Sequence, residues 1–127
     1  MTEITTRGGV TQPPVSLPQG LGDLSVDALQ FALARSAFDD RRFTDAVAAL
    51  EPLVVRHPGD RAARELLARS YFSAAMLAKA EVQARDLVRR SPSDAYAHLL
   101  LSRCLERQSR PDEARGHRVM AHVLGAD

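Results

Sequence analysis

Tryptophan is missing from this sequence, and tyrosine and phenylalanine together hold the aromatic share at 5%. A core of stacked large rings is thereby excluded. Aliphatic side chains and alanines have to do the packing, which suits helices in close contact. An excess of one charge is lacking too, since 17 basic residues stand against 16 acidic ones for a net charge of +1. No global field draws in nucleic acid or an anionic membrane, so neither is expected as a partner, and any electrostatic function has to be local. Lysine occurs once, as Lys79, and every other basic residue is arginine, from a GC-rich genome or from a use for planar bidentate donors. Cysteine also occurs once. Cys104 cannot form an internal disulfide, which fits a reducing compartment, and it sits in an expected helix without a neighbouring base, as a buried thiol rather than a nucleophile. No basic start followed by an apolar run opens the chain, and no stretch approaches the length of a membrane span. A soluble, cytoplasmic protein is the expectation.

Catalytic and ligand-holding patterns are equally scarce. No glycine-rich loop follows a strand, and no strand is expected anywhere, so a nucleotide site has no support. His57 and His98 fall in different segments, while His117 and His122 are five apart and miss the i,i+4 spacing of two ligands on one helix face. Each is read as a solvated or interhelical histidine. Neither an enzyme nor a bound metal or cofactor is expected.

What the chain does contain is a period. Ala46, Ala80 and Ala114 are successive steps of 34 residues, preceded at the same step by Leu33, Leu67 and Leu101 and by Ala34, Ala68 and Ser102. Leu53, Leu87 and Ala121 follow, and Pro58 and Pro92 close two of the units. Residues 1–24 differ: their prolines and glycines stand among sparse apolar residues and predict a flexible tail. Alternatively Leu17, Leu21 and Leu24 lie down as a cap on the open end of the first unit. Ser25 is placed to N-cap a first helix running to about Phe38, in which Leu33, Ala34 and Ala37 share one side and Phe31, Arg35 and Phe38 another. Asp39 to Arg42 make a turn, and Thr44 is expected to cap a second helix burying Ala46, Val47, Leu50, Leu53 and Val54, with a bend at the interior Pro52. His57 to Asp60 break the chain. From 61 to 90 there is neither glycine nor proline, and propensity alone predicts one long helix. The period overrules it and demands a turn between residues 73 and 77. A third unit starts near Ala95, turns at Gln108 to Arg110 and restarts at Pro111. Its last helix carries Arg115, Arg118 and His122 where the first unit has Val47, Leu50 and Val54, which predicts a solvated end to the array.

A 34-residue period with this Leu-small, Ala and Pro pattern resembles a tetratricopeptide-repeat (TPR) protein from about Asp27 onward. The departures are in identity: Gln30, Arg64 and His98 replace the family's first aromatic, Ala34, Ala68 and Ser102 its small glycine, and its tyrosine survives only as Tyr71. The resemblance implies an all-α, right-handed solenoid of three helical hairpins, six antiparallel helices in all, with repeats at about 27–60, 61–94 and 95–127. It also implies an interaction module, an adaptor that holds a peptide or helical segment of another protein in a concave groove lined by the first helix of each unit.

Carried onto that groove, the register places Arg35, Arg69 and Arg103 in a ladder 34 residues apart. Phe31 and Phe38, Glu65 and Phe72, then Tyr96, Leu99 and Arg107 flank them. Arginine beside aromatics grips carboxylates and neighbouring apolar side chains, so an acidic partner segment fits. The alternative is that Asp39, Glu65 and Glu106 neutralise the ladder locally. A second functional reading is self-association, monomer to weak homo-oligomer, through Val119, Met120, Val123 and Leu124 on the last helix.

Overall fold

The computed structural model describes residues 25–126. The expected tail at 1–24 lies outside the described residues. Six helices make up the described chain: α1 (Val26–Asp39), α2 (Phe43–Arg56), α3 (Arg61–Ser73), α4 (Leu77–Arg90), α5 (Ala95–Arg107) and α6 (Pro111–Val123). They pair as α1 with α2, α3 with α4 and α5 with α6, and each hairpin packs on the next. Additional contacts join α1 to α3 and α3 to α5, so the first helices of the three units share one wall.

Local signals set the starts of that wall. The side chains of Ser25, Asp60 and Asp94 accept hydrogen bonds from the first-turn amides of α1, α3 and α5, satisfying donors that no helical carbonyl reaches. The second helices start differently. Arg42, Met76 and Arg110 precede them and make no side-chain cap. Thr44 therefore is not the cap expected of it. The turn itself dictates the start of α2: Arg41 is held at φ 63°, which directs the chain into Phe43 before Thr44 is reached.

The same left-handed residue ends α3 without help from glycine or proline. Arg41, Ala75 and Ser109, 34 residues apart, have φ between 62° and 63°. Around Ala75 its own amide donates to the Phe72 carbonyl at 3.0 Å and the Met76 amide to the Tyr71 carbonyl at 2.8 Å. This is the Schellman arrangement, which ties off the last helical carbonyls. The pair of bonds recurs at Arg41–Arg42 and at Ser109–Arg110. Pro52 lies inside α2, which continues to Arg56.

Alanine sets the hairpin spacing. Ala46, Ala80 and Ala114 are fully buried, as are Ala34 and Ala68. Leu50, Leu67, Leu101 and Leu105 fill the remaining interior, each contributing about 2 kcal/mol by leaving water. Leu33 departs from its register. It is 68% exposed, whereas Leu67 and Leu101 are at 2% or less. Those two are covered by a preceding hairpin, and no described helix precedes α1. At the other end, Arg115, Arg118 and His122 are exposed, in keeping with a solvated last helix, and Val119, Met120 and Val123 are exposed beside them.

A polar clamp crosses each hairpin at the places where the family has its aromatic. Gln30 Nε2 donates to the Ala49 carbonyl at 3.0 Å. Arg64 Nη1 donates to Gln83 Oε1 at 2.7 Å and its Nη2 to the Pro58 carbonyl at 3.0 Å. His98 meets His117 at 3.1 Å and the Pro92 carbonyl at 2.8 Å. Positions 49, 83 and 117 repeat at the same 34-residue step as 30, 64 and 98. Hydrogen bonding thus replaces ring packing, and buried His98 and both terminal nitrogens of Arg64 find partners, leaving Arg64 Nε without a hydrogen bond among the described residues.

Candidate groove on the first-helix wall

The wall of α1, α3 and α5 brings two of the ladder residues together. Arg35 and Arg69 line one cavity of about 250 Å³ with Phe31, Ala62, Leu66, Glu65 and Arg61. Arg69 stacks its guanidinium over the Phe38 ring, 4.7 Å from the centroid, and Arg107 over Phe72 at 5.2 Å. Such contacts hold a cation by the ring quadrupole and leave its outward N–H donors unused. Tyr96 on α5 links the second and third rungs. Burial raises its phenol pKa, with Arg69 and Arg103 pulling it down and Glu65 pushing it up.

None of Arg35, Arg69, Arg103 and Arg107 forms an ion pair among the described residues. The acids expected to neutralise them are engaged elsewhere or make none. Glu65 pairs with Arg61 at 2.9 Å, and Glu106 pairs with Arg118 of α6. Asp39 joins none of the ladder arginines. Arg35, Arg103 and Arg107 are exposed, while Arg69, Glu65, Phe31, Phe38, Phe72 and Leu99 are half-buried. Leu99 lies on α5 with Arg103, outside the cavity between α1 and α3. The result is a row of cations, two of which, Arg69 and Arg107, rest on aromatic faces, and arginine beside aromatic rings is a combination that recognises carboxylates beside apolar side chains.

Arg61 is the member of this site that spacing did not single out. It bonds both Glu65 and Asp94, tying the start of α3 to the start of α5. Its one warning in the sequence is its position directly after the capping Asp60, one turn ahead of Glu65.

Elsewhere the charged groups are structural. Burial pushes the Glu81 carboxyl up, but hydrogen bonds from Arg85, Gln108 and Arg110 overcome it and bring its pKa to about 2. That carboxylate fastens α4 to the turn between α5 and α6. Burial raises the Cys104 thiol to about 11, with Glu81 adding to it, so the thiolate is scarce at neutral pH and the thiol is inert. Among the described residues no cluster of three or more His, Cys, Asp and Glu side chains is placed to hold a metal ion, and no helix is long and apolar enough to cross a membrane.

Helical hairpins stacked at a fixed period with one shared inner wall define an α-repeat interaction fold. The Tetratricopeptide repeat profile matches residues 37–104, more than half of the sequence, and the chain belongs to the tetratricopeptide-repeat family. A solved structure of a mutant form of MamA is similar, with a TM-score of 0.76 and 16% identity over 84% of this chain and 77% of that one. At that identity the likeness concerns the fold. No curated protein matches the sequence. Protein–protein interaction is the general role of these repeats, and the fold is in general not a catalytic one.

Proposed function

We propose that this protein is a non-enzymatic adaptor that holds an extended or helical segment of a partner protein against the α1, α3 and α5 wall, and that the segment carries acidic residues next to an apolar one. The observation that carries this reading is the unneutralised ladder: Arg35, Arg69 and Arg103 occupy the same place in successive units, and Glu65 and Glu106 are spent on Arg61 and Arg118. Like charges on one wall repel unless an anion answers them. Phe31, Phe38 and Phe72 supply the apolar half of the contact. The net charge of +1 is spread rather than massed, which favours a protein partner over nucleic acid or membrane, and the cytoplasm is the compartment that suits a lone buried thiol.

Selection from a random peptide display library tests the reading. Peptides with Asp or Glu beside an aliphatic or aromatic residue are expected to be enriched on the wild-type domain. Arg69→Glu, which leaves the core untouched, should abolish that enrichment, and raised salt should weaken it. Enrichment of peptides without acids, or indifference to both perturbations, would end the proposal.

A second reading rests on a separate observation, the exposure of Val119, Met120 and Val123 on α6. Through that stripe chains would pair with one another. Light scattering on Val123→Asp and the parent chain decides it: a dimer dispersed by the substitution supports self-association, and a monomer in both discards it.

A further inference from the structure

The open ends of the first and second hairpins each hold a cavity, and the two differ in charge. Ser25, Asp27, Leu53 and His57 are among the residues lining the first. Gly59, Arg61, Leu87 and Ser91, each one period later, line the second together with Pro58, Arg64 and Arg90. In the first hairpin the anion is built in: Asp27 accepts from Arg56 Nη2 at 2.5 Å and meets His57 Nε2 at 2.6 Å. Gln30 Oε1 takes Arg56 Nη2 as well, at 3.3 Å. In the second hairpin the places of Asp27, Gln30 and Arg56 are held by Arg61, Arg64 and Arg90, and no carboxylate lines the space of about 240 Å³.

Carboxylates behind the lining answer these cations only in part. Asp86 accepts from Arg90 Nε at 2.6 Å and from Arg89, and it also faces Arg64 Nε at 2.9 Å, off the hydrogen-bond line. One carboxylate thus stands among three guanidiniums. Arg61 gives its terminal nitrogens to Glu65 and Asp94. Among the described residues, both terminal nitrogens of Arg90 are left over, and Arg64, 8% exposed, keeps a buried Nε–H with no acceptor. Burial lowers the Arg64 pKa, and Arg90 and Arg89 lower it further. A guanidinium stays protonated all the same, so it is a cation held against like charges without enough anion beside it.

We propose that this cavity binds a phosphate group, inorganic or carried on a phosphorylated side chain of another protein, among Arg61, Arg64 and Arg90, in the place where the first hairpin holds its own Asp27 carboxylate. A carboxylate has two oxygens, and in the first hairpin one arginine and one histidine fill them. A phosphate presents at least three oxygens and nearly two negative charges at neutral pH. That matches a lining of three guanidiniums, whose planar donor forks suit phosphate, with the Ser91 hydroxyl beside them. The third hairpin has Ala95, His98 and Leu124 at the equivalent places, so the site belongs to the second hairpin alone. It is separate from the arginine ladder: neither Arg35, Arg69 nor Arg103 lines it.

Isothermal titration of the full chain with inorganic phosphate at constant ionic strength is the test, repeated with a peptide of one phosphoserine among glycines and with its unphosphorylated form. Saturable one-to-one binding is expected, weakened at least about tenfold by Arg90→Gln. Ser91→Asp, which returns a carboxylate to the cavity, should abolish binding while the helical circular dichroism stays that of the parent. A phosphopeptide that binds more tightly than inorganic phosphate assigns the group to a protein, and one that binds no more tightly assigns free phosphate. Absence of binding by both, equal affinity in Ser91→Asp and the parent, an unphosphorylated peptide that binds as well as the phosphorylated one, or an equal loss in Arg69→Glu overturns the site.

Discussion

His98 and His117 meet Nδ1 to Nδ1 at 3.1 Å, with ring centroids 5.4 Å apart in a stacked arrangement. The Pro92 carbonyl 2.8 Å from His98 Nε2 can only accept, which assigns that proton to Nε2 and leaves His98 Nδ1 to accept from His117 Nδ1–H. The contact joins α5 to α6. Burial holds the His117 pKa below its ordinary 6.5, aided by His98 and Arg85 and opposed by Glu113. With the folded value depressed, the unfolded chain takes up the proton first, so this contribution is complete above about pH 7 and is lost as pH falls through the ordinary imidazole range. Urea titrations at pH 7.5 and 5.5 should show a loss of stability at the lower pH that His117→Gln reduces. Equal losses in both proteins would remove the pair from the account.

Asp86 is the most heavily used carboxylate in the second hairpin. It is 7% exposed and Arg64 8%, with Arg64 Nε 2.9 Å from Oδ2 but off the hydrogen-bond line, so the contact is ionic. Arg90 Nε donates to the same oxygen at 2.6 Å and Arg89 to the other. Asp86→Ala strands a buried guanidinium and should cost about 3–5 kcal/mol. Arg89→Ala, at an exposed partner, should cost below about 1 kcal/mol. Chemical denaturation of the two variants checks the contrast, and similar small losses would show that Arg64 finds water instead.

Ala75 carries a left-handed backbone with a Cβ attached. That conformation costs an L-residue about 1–2 kcal/mol, and glycine escapes it at some expense in unfolded-chain entropy. Ala75→Gly should therefore raise stability by about 0.5–1 kcal/mol, read as a higher urea midpoint at unchanged slope. Ala75→Val should lower it, and a midpoint that falls for both would contradict the strain.

Ala80 has no exposed surface and lies where α4 meets its neighbours. Ala80→Leu should overpack the middle hairpin at about 1–3 kcal/mol. A thermal melt that does not move would show space at this crossing.

How much of this was legible can be judged residue by residue. The 34-residue step was enough to break the glycine-free stretch from 61 to 90 at the right place, since Ala46 and Ala80 fix where their hairpins turn. Leu33 was misplaced because periodicity reports a face, whereas burial depends on whether another element arrives there. Thr44 was misassigned because a backbone turn at Arg41 sets the helix start, and that conformation has no residue signature when glycine is absent. The ladder of Arg35, Arg69 and Arg103 was visible in the register, but its lack of ion pairs was not, since Glu65 and Glu106 had equally plausible partners in sequence. The clamps were missed outright. A search for polar pairs 19 apart, such as Arg64 with Gln83 and His98 with His117, repeated at the period, would have found them.

Contacts among the described helices run only between neighbours in the chain and between α1, α3 and α5. Among the described helices none of the first hairpin contacts one of the third. Tension applied across the two ends therefore passes through every interface in turn, like a load through the links of a chain, and the extensions add. Such a molecule yields as a soft spring through small rotations at each junction, and under greater load a terminal hairpin peels away while α3, held on both sides, still grips its neighbours.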